Sequence, residues 1–170
     1  RRNGVRVSFD LDYREGTWNS PEEASVYFTL AARQADMVLG TREEFDMMER
    51  VYHPENRSDA QSAQWLLDAG VKVVSIKQGK NGSFVYTRDG RCVGGIYPAK
   101  VLKTLGAGDS YSSAFTCALL KGRDMSTALQ YAAAASSITI SGHSCSDAMP
   151  SLASVENYMA SHEYVLPEII

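Results

Sequence analysis

Apolar and polar positions alternate in blocks along the chain, and each block predicts either a strand or a helix. Short apolar runs bounded by polar residues or glycine predict buried strands, at Val5–Asp12, Met37–Leu39 and Val71–Lys77. Longer segments predict helices, at Pro21–Gln34, Thr41–Arg50, Asp59–Ala69, Ser110–Leu120, Ser126–Ser141 and Ser151–Ser161. Because strands alternate with helices, we expect an α/β fold with a mostly parallel sheet flanked by helices on both faces.

Local signals mark several boundaries of these elements. Ser20 precedes a proline and two acids, which is typical of a helix start. Thr41 and Glu44 have the spacing of a capping box. The tripeptide Arg88–Gly90 separates two apolar segments and predicts a hairpin turn. The apolar-rich segment Ile96–Leu102 predicts extended backbone.

Composition and charge exclude several classes of protein. The chain has 170 residues, a net charge of −3 and 44% hydrophobic residues, which predicts one domain with a sizeable core. The acidic balance argues against nucleic-acid or anionic-membrane partners. No apolar run reaches the ~18 residues that a membrane-spanning helix needs. Three widely spaced cysteines, Cys92, Cys117 and Cys145, favour a reducing cytoplasm over a disulfide framework.

The segment Gly106-Ala107-Gly108-Asp109 predicts an anion-binding turn that opens a helix. The glycines allow the backbone to present N–H groups to one point, and the positive end of the helix dipole adds to their attraction. A carboxylate in the first helical turn, here Asp109, is placed to act as general base for a hydroxyl that attacks phosphorus. The alternative is that Asp109 only caps a helix after a tight turn.

A second glycine-rich turn ends the third predicted strand. In the stretch Lys77–Ser83, Gly79 and Gly82 permit close approach of the backbone to a ligand, and Lys77 could meet phosphate charge. The alternative is a plain β-turn before a hairpin. Further along, the small residues of Ala132–Ser137 give a predicted helix a thin face. Such a face permits either close packing against the helix that carries Asp109 or a slot for an adenine ring.

Polar residues after two other predicted strands are candidate substrate and metal positions. Arg14, with Asp12 beside it, carries a guanidinium suited to a carboxylate or phosphate. Its alternative is an exposed salt bridge. Glu43 and Glu44 could order magnesium-bound waters, because that ion keeps much of its hydration shell. Their alternative is a pair of helix-capping acids.

Taken in order, these motifs resemble those of the ribokinase-like carbohydrate kinase family, which includes fructokinase and 2-keto-3-deoxygluconate kinase. The family motifs G-A-G-D, D-x-N-x-R, N-x-x-E and K-x-G-x-x-G match Gly106–Asp109, Asp10–Arg14, Thr41–Glu44 and Lys77–Gly82. Asp12 and Thr41 stand where the family usually has Asn, and Lys103 stands where it often has an acid. The resemblance covers nearly the whole chain, and longer segments resemble a subfamily that acts on a sugar acid.

The resemblance implies a kinase that uses ATP and Mg²⁺ to phosphorylate a primary hydroxyl of a small-molecule sugar acid. It implies that residues 1–170 are the C-terminal, nucleotide-binding half of a carbohydrate kinase domain, without the N-terminal half and its lid. It assigns the roles of base (Asp109), anion-stabilising backbone (Gly106, Ala107, Gly108), nucleotide contacts (Lys77, Gly79, Gly82, Ser83), substrate contacts (Asp12, Arg14) and magnesium contact (Glu44). We expect a homo-oligomer, because an interior strand left at an edge recruits another chain.

Two functions from other classes are alternatives to this kinase. A non-catalytic nucleotide-binding module would keep the anion-binding turn and lack a complete sugar pocket. A nicotinamide-dependent oxidoreductase is disfavoured, because no G-x-G-x-x-G follows the first predicted strand. The P-loop pattern G-x-x-x-x-G-K-[ST] is also missing from the sequence, so the phosphate site is not of that type.

Overall fold

The computed structural model describes residues 3–144 and 146–168, whose contacts divide the chain into two units. The first unit is Arg1–Gln78 with Phe84–Arg91, and the second is Gly79–Ser83 with Cys92–Ile170. Cys145, one of the three predicted free cysteines, lies outside the described residues, whereas Cys92 and Cys117 are both free thiols.

One mixed sheet of five strands follows the chain order. Its strands are β1 (Ser8–Asp10), β2 (Met37–Thr41), β3 (Val73–Lys77), β4 (Ser83–Thr87) and β5 (Gly90–Gly94), and each lies beside the next. The first three are parallel, with Val38 in register with Phe9 on one side and Val74 on the other. A two-residue connection joins β4 to β5, so these neighbours run antiparallel. The predicted α/β class and the predicted hairpin are confirmed.

Three helices of the first unit begin at capping side chains, and the sequence predicts two of these caps, Ser20 and Thr41. These helices are α1 (Pro21–Ala32), α2 (Arg42–Glu49) and α3 (Asp59–Asp68). The Ser20 hydroxyl accepts a hydrogen bond from the Glu23 N–H at 3.0 Å. Helix α2 has both hydrogen bonds of a capping box, between Thr41 and Glu44. These caps satisfy N–H groups that a helix start otherwise leaves without acceptors.

The core of the first unit consists of apolar side chains from the strands and from one face of each helix. Helix α1 buries Ala24, Phe28 and Ala32 at a spacing of four residues, which is the period of a helix face. Other fully buried members are Leu11, Val38, Phe45, Met48, Leu66, Val74 and Ile76. The rings of Phe9 and Trp18 pack against Phe28, with centroids 5.8 and 5.4 Å away.

Two strands are shorter than the sequence predicts, for local reasons. β1 loses its last predicted residues because Asp12 adopts φ +32°, which is outside the range of a strand. β3 loses its first two because the Val71 N–H donates to the Leu66 carbonyl at 3.1 Å and so closes the end of α3. Periodicity in the sequence shows apolar positions and does not show which hydrogen bonds end a ladder.

The second unit contains α4 (Ala107–Leu120), α5 (Met125–Ile140) and α6 (Leu152–Ser161). Helices α4 and α5 pack closely against each other. Ala132 to Ala135 are all buried, which favours the packing role of this small-residue face over the adenine slot. The Thr139 hydroxyl donates to Ser110 at 2.8 Å across the two helices, so the start of α4 is tied to α5.

The segment Ile96–Leu102, which the sequence predicts as extended backbone, forms no continuous strand. Only Ile96 forms a β-bridge, with Val165, and no strand covers the rest. The segment is instead held by bonds to α5. The Ser137 hydroxyl donates to the Tyr97 carbonyl at 2.8 Å, and the Leu102 N–H donates to the Ile140 carbonyl at 2.8 Å. Within the described ranges, no helix is long and apolar enough to cross a membrane.

Candidate active site

Helix α4 begins at a left-handed glycine. Gly106, its N-cap residue, has φ +86° and ψ −5°, a conformation that costs a residue with a Cβ about 1–2 kcal/mol. Ala107 and Gly108 are already helical. The sequence therefore predicts the turn correctly, but only the first of its two glycines is needed for backbone conformation.

The N-terminus of α4 has no side-chain cap, unlike the other α-helices of the described residues. The Ala107 N–H donates to the Thr104 carbonyl at 3.1 Å. The N–H groups of Gly108 and Asp109 have no acceptor among the hydrogen bonds of the described residues. Free first-turn donors and the positive end of the helix dipole together favour an anion. The Gly106 N–H likewise has no acceptor in the described ranges, so three donors are open there, whereas the predicted donor Ala107 is already engaged.

The Asp109 side chain is exposed in the first turn of α4 and lines a cavity of about 470 Å³. This volume is in the range of small-molecule sites. Other lining residues are Ser113, Ala114 and Cys117 of α4, Tyr131 and Ala135 of α5, and Val155 and Glu156 of α6. The Tyr131 hydroxyl donates to the Glu156 carboxylate at 2.9 Å. Burial, followed by this hydrogen bond, raises the pKa of Tyr131 above its usual range.

The predicted nucleotide-binding turn contains residues in three different environments. Gly79 has φ +56°, and a Cβ there would meet no atom within 4 Å. Gly82 has φ +79°, and a Cβ there would lie 2.1 Å from the Gly94 carbonyl oxygen. The Ser83 hydroxyl is buried and accepts a hydrogen bond from the Tyr111 hydroxyl at 2.8 Å. The geometry therefore makes Gly82 and the Ser83 side chain structural, and leaves Gly79 open to a ligand.

In the first unit, Asp12 and Arg14 form an exposed ion pair of 2.6 Å just after β1. Asp12 is the one residue other than glycine with positive φ in the described chain. Such a conformation is uncommon and is a reason to look for function. The structure therefore shows the exposed salt bridge that the sequence offered as the alternative. The Arg14 guanidinium and the Asp12 carboxylate both remain accessible to a ligand.

Glu44 is more deeply engaged than the sequence predicts. One carboxylate oxygen accepts from the Thr41 N–H at 2.7 Å and the other from the Tyr13 N–H at 3.1 Å. Each carboxylate oxygen can accept a second hydrogen bond, so the side chain can still receive a water molecule. No group of three or more His, Cys, Asp or Glu side chains in the described ranges forms a metal-binding cluster. The remaining acceptor capacity of the Glu44 carboxylate fits a hydrated Mg²⁺, because this ion keeps several waters and takes few protein ligands.

Lys77, at the end of β3, is mostly buried and forms an ion pair with Asp10 at 3.3 Å. The two residues lie at the carboxyl ends of two strands of the same parallel set. The role of Lys77 toward a phosphate stays a prediction, because its ammonium has a carboxylate partner within the protein.

Sequence reasoning missed a buried cluster of charges between α2 and α3. The Arg42 guanidinium bonds Asp46 and Asp59, each at 3.1 Å, and lies 3.8 Å from Glu49. Glu49 is almost fully buried, and Asn56 donates to it at 2.7 Å. Burial is the main cause that raises the pKa of Glu49, against the opposing effect of these neighbours. The i,i+4 spacing of Arg42 and Asp46 is visible in the sequence, whereas Asp59 and Asn56 reach the cluster only through folding.

The first 152 residues match the model of the pfkB family of carbohydrate kinases. The chain belongs to this family. Among its relatives, 5-dehydro-2-deoxygluconokinase of Geobacillus kaustophilus is 51% identical over 163 residues, which are 95% of this chain and 48% of the relative. The chain thus spans about half the length of the curated relatives it matches.

Solved structures of similar proteins confirm the ribokinase-like fold of this pfkB family chain. An E. coli protein described as a ribokinase II, in complex with ATP and Mg²⁺, has a TM-score of 0.83 and 24% identity over 95% of this chain and 50% of its own. Fructokinase of Vibrio cholerae has a TM-score of 0.79 and 22% identity over 91% of this chain and 50% of its own. At these identities the likeness concerns the fold alone.

Proposed function

We propose that the full-length protein containing this chain transfers the γ-phosphoryl group of ATP to a primary hydroxyl of 5-dehydro-2-deoxygluconate, in inositol catabolism. The observation that carries the proposal is the uncapped N-terminus of α4, with Asp109 in its first turn. The name of the 51%-identical relative supports the substrate. The ligands of the E. coli structure, ATP and Mg²⁺, support the phosphoryl donor and the metal.

In the proposed reaction, Asp109 accepts the proton of the attacking hydroxyl. The hydroxyl oxygen forms a bond to the γ-phosphorus while the bond from that phosphorus to the bridging oxygen breaks, and ADP leaves with the electron pair. The N–H groups of Gly106, Gly108 and Asp109 stabilise the negative charge on the transferring group, because they have no acceptor among the described residues. Positioning and electrostatics of this kind supply most of the catalysis of phosphoryl transfer.

Other residues of the chain are proposed to bind the substrate and the metal. The Arg14 guanidinium, which is accessible beside Asp12, suits the carboxylate of a sugar acid. Mg²⁺, when bound, neutralises charge on the phosphates of ATP, and Glu44 would accept hydrogen bonds from its waters. Gly79, which faces open space, would contact the nucleotide. Gly82 and Ser83 would shape that turn from within.

The test is Asp109→Asn in the full-length protein, with Asp89→Asn as the matched control. Both changes remove one exposed carboxylate, and Asp89 lies in the turn between β4 and β5. For Asp109→Asn we expect a kcat lowered by about 10²–10⁴ and nucleotide affinity close to that of the wild type. The control should keep normal turnover. Near-normal turnover of Asp109→Asn would remove this residue from the mechanism.

The substrate is tested by ATP-dependent phosphorylation of a panel of keto-deoxy sugar acids. We expect the highest kcat/KM with 5-dehydro-2-deoxygluconate. A preference for 2-keto-3-deoxygluconate would identify the other sugar-acid kinase that the motifs allow. ATP binding without phosphorylation of any member would favour the non-catalytic nucleotide-binding module.

A further inference from the structure

The turn Asp12–Arg14 is held in an unusual conformation immediately after the sheet. The Leu11 N–H still donates to the Leu39 carbonyl at 2.9 Å, which continues the pairing of β1 with β2. At Asp12 the backbone changes to φ +32°. Asp and Asn tolerate this region better than most residues, but it remains a cost of order 1 kcal/mol or more. The surrounding contacts must therefore hold the turn in place.

Two contacts of Tyr13 supply that restraint. The Tyr13 N–H donates to a Glu44 carboxylate oxygen at 3.1 Å. The Tyr13 ring packs edge-on against the buried ring of Phe28, with centroids 6.2 Å apart. The first contact fixes the peptide that joins Asp12 to Tyr13, and the second fixes the side chain. Arg14 is the next residue, so the position and direction of its backbone depend on both of these Tyr13 contacts.

The Glu44 carboxylate joins two separate segments of backbone. Its second oxygen accepts from the Thr41 N–H at 2.7 Å, at the start of α2. Both partners are donors, and an ionised carboxylate offers acceptors only, so it satisfies both at once. A glutamine of the same length offers one acceptor and one donor, and must turn its NH₂ group toward one of the two N–H groups. The charge of Glu44 is therefore required for the bridge as well as its length.

We propose that Glu44 is a positioning residue, which through the Tyr13 N–H fixes the turn that carries Arg14. This inference rests on the proposed function, in which Arg14 binds the substrate. It adds a second task to the residue assigned to magnesium-bound water. The two tasks differ in what they predict, because a metal role affects dependence on Mg²⁺ whereas the positioning role affects the Tyr13 amide and the sugar-acid KM.

The test compares Glu44→Gln with the wild type in the full-length protein, without ligands and during turnover. Hydrogen exchange by mass spectrometry follows peptides that report the Tyr13 amide. A hydrogen bond to a charged group is worth about 1.5–3 kcal/mol, so we expect exchange at Tyr13 to be faster by about 10–150-fold. In the assay the positioning role predicts a raised KM for the sugar acid, and a separate shift in the Mg²⁺ concentration for half-maximal activity measures the magnesium role.

Thr41→Val is the matched control, because it removes the hydroxyl that accepts from the Glu44 N–H at 3.2 Å and leaves the carboxylate in place. We expect this variant to loosen α2 and to change Tyr13 exchange far less than Glu44→Gln does. Equal loosening of Tyr13 by both variants would mean that the helix start as a whole holds the turn, and would overturn the proposal. Unchanged Tyr13 exchange in Glu44→Gln would overturn it directly.

A further variant covers the case in which Glu44→Gln does not fold. Glu44→Asp keeps the charge and shortens the side chain by one methylene, so one bridge contact must lengthen. Faster Tyr13 exchange with a raised sugar-acid KM supports the proposal, and unchanged exchange refutes it. The exchange readout needs no substrate. A wild type with no sugar-acid kinase activity would refute the proposed function and leave the Tyr13–Glu44 contact to be judged by exchange alone.

Discussion

Two glycines of one turn offer a direct comparison between conformational strain and steric overlap. Gly79 and Gly82 both have left-handed backbone, with φ +56° and +79°. Alanine at either position therefore carries a similar strain of about 1–2 kcal/mol. The difference lies in what the new Cβ meets. At Gly79 it meets nothing within 4 Å, whereas at Gly82 it would lie 2.1 Å from the Gly94 carbonyl oxygen.

The overlap at Gly82 cannot be relieved by rotation of a side chain, because the Gly94 oxygen belongs to the backbone. Real Cβ contacts do not fall below 3.0 Å, so the two segments must separate by about 1 Å. Forced overpacking of this kind costs about 1–3 kcal/mol beyond the strain. We therefore expect Gly79→Ala to lose about 1–2 kcal/mol and Gly82→Ala to lose about 2–5 kcal/mol.

Urea unfolding of both variants, followed by circular dichroism, measures these losses as shifts in the midpoint at constant slope. Equal losses at the two positions would refute the argument from overlap. The same pair separates structure from ligand binding. If Gly79 faces the nucleotide, Gly79→Ala should raise the KM for ATP in the full-length protein at conditions where it remains folded. Unchanged KM would place the nucleotide away from this residue.

Two further predictions follow from burial and from the sheet edge. Burial raises the pKa of Glu49 above its unfolded value, so its contribution to stability is present below the unfolded pKa and is lost as pH rises through the folded pKa. Between these two pKa values, the free energy of unfolding of the wild type relative to Glu49→Gln should fall by at most about 1.4 kcal/mol per pH unit. Urea unfolding at a series of pH values measures this difference, and two parallel curves of unfolding free energy against pH would contradict the prediction. β1 lies at an edge of the sheet with Val5 and Val7 exposed, so the 170-residue chain should self-associate and Val7→Lys should reduce the association. Sedimentation velocity that finds a single monomeric species would exclude this.

Much of the fold could be predicted from sequence because its signals are local. The cap of α1 at Ser20 and the capping box of Thr41 and Glu44 depend on residues three apart, and both are present as predicted. The alternation of strands with helices follows from apolar periodicity over short windows. The segment Ile96–Leu102 has the composition of a strand, but only Ile96 forms a β-bridge, whereas the Tyr97 carbonyl and the Leu102 N–H bond to α5. Composition does not specify the partner.

The candidate site divides in the same way. The Gly106 turn and the helix that follows it are local, and the sequence predicts them. Ser83 is assigned to the nucleotide by its place in a glycine-rich turn, yet its hydroxyl accepts from Tyr111, which is 28 residues away. Lys77 pairs with Asp10 across 67 residues. The long-range partner decides whether a polar side chain is available to a ligand, and one sequence gives no measure of it.

Glu44 shows how one residue can satisfy a local and a long-range requirement together. Its bond to the Thr41 N–H completes a capping box between residues three positions apart. Its bond to the Tyr13 N–H spans 31 residues and has no counterpart in any local motif. A capping role alone would tolerate glutamine, since the capping box accepts either residue. The second bond does not, because two N–H donors need two acceptor oxygens. Sensitivity of the Asp12–Arg14 turn to Glu44→Gln is therefore the property that separates the bridge from an ordinary helix cap.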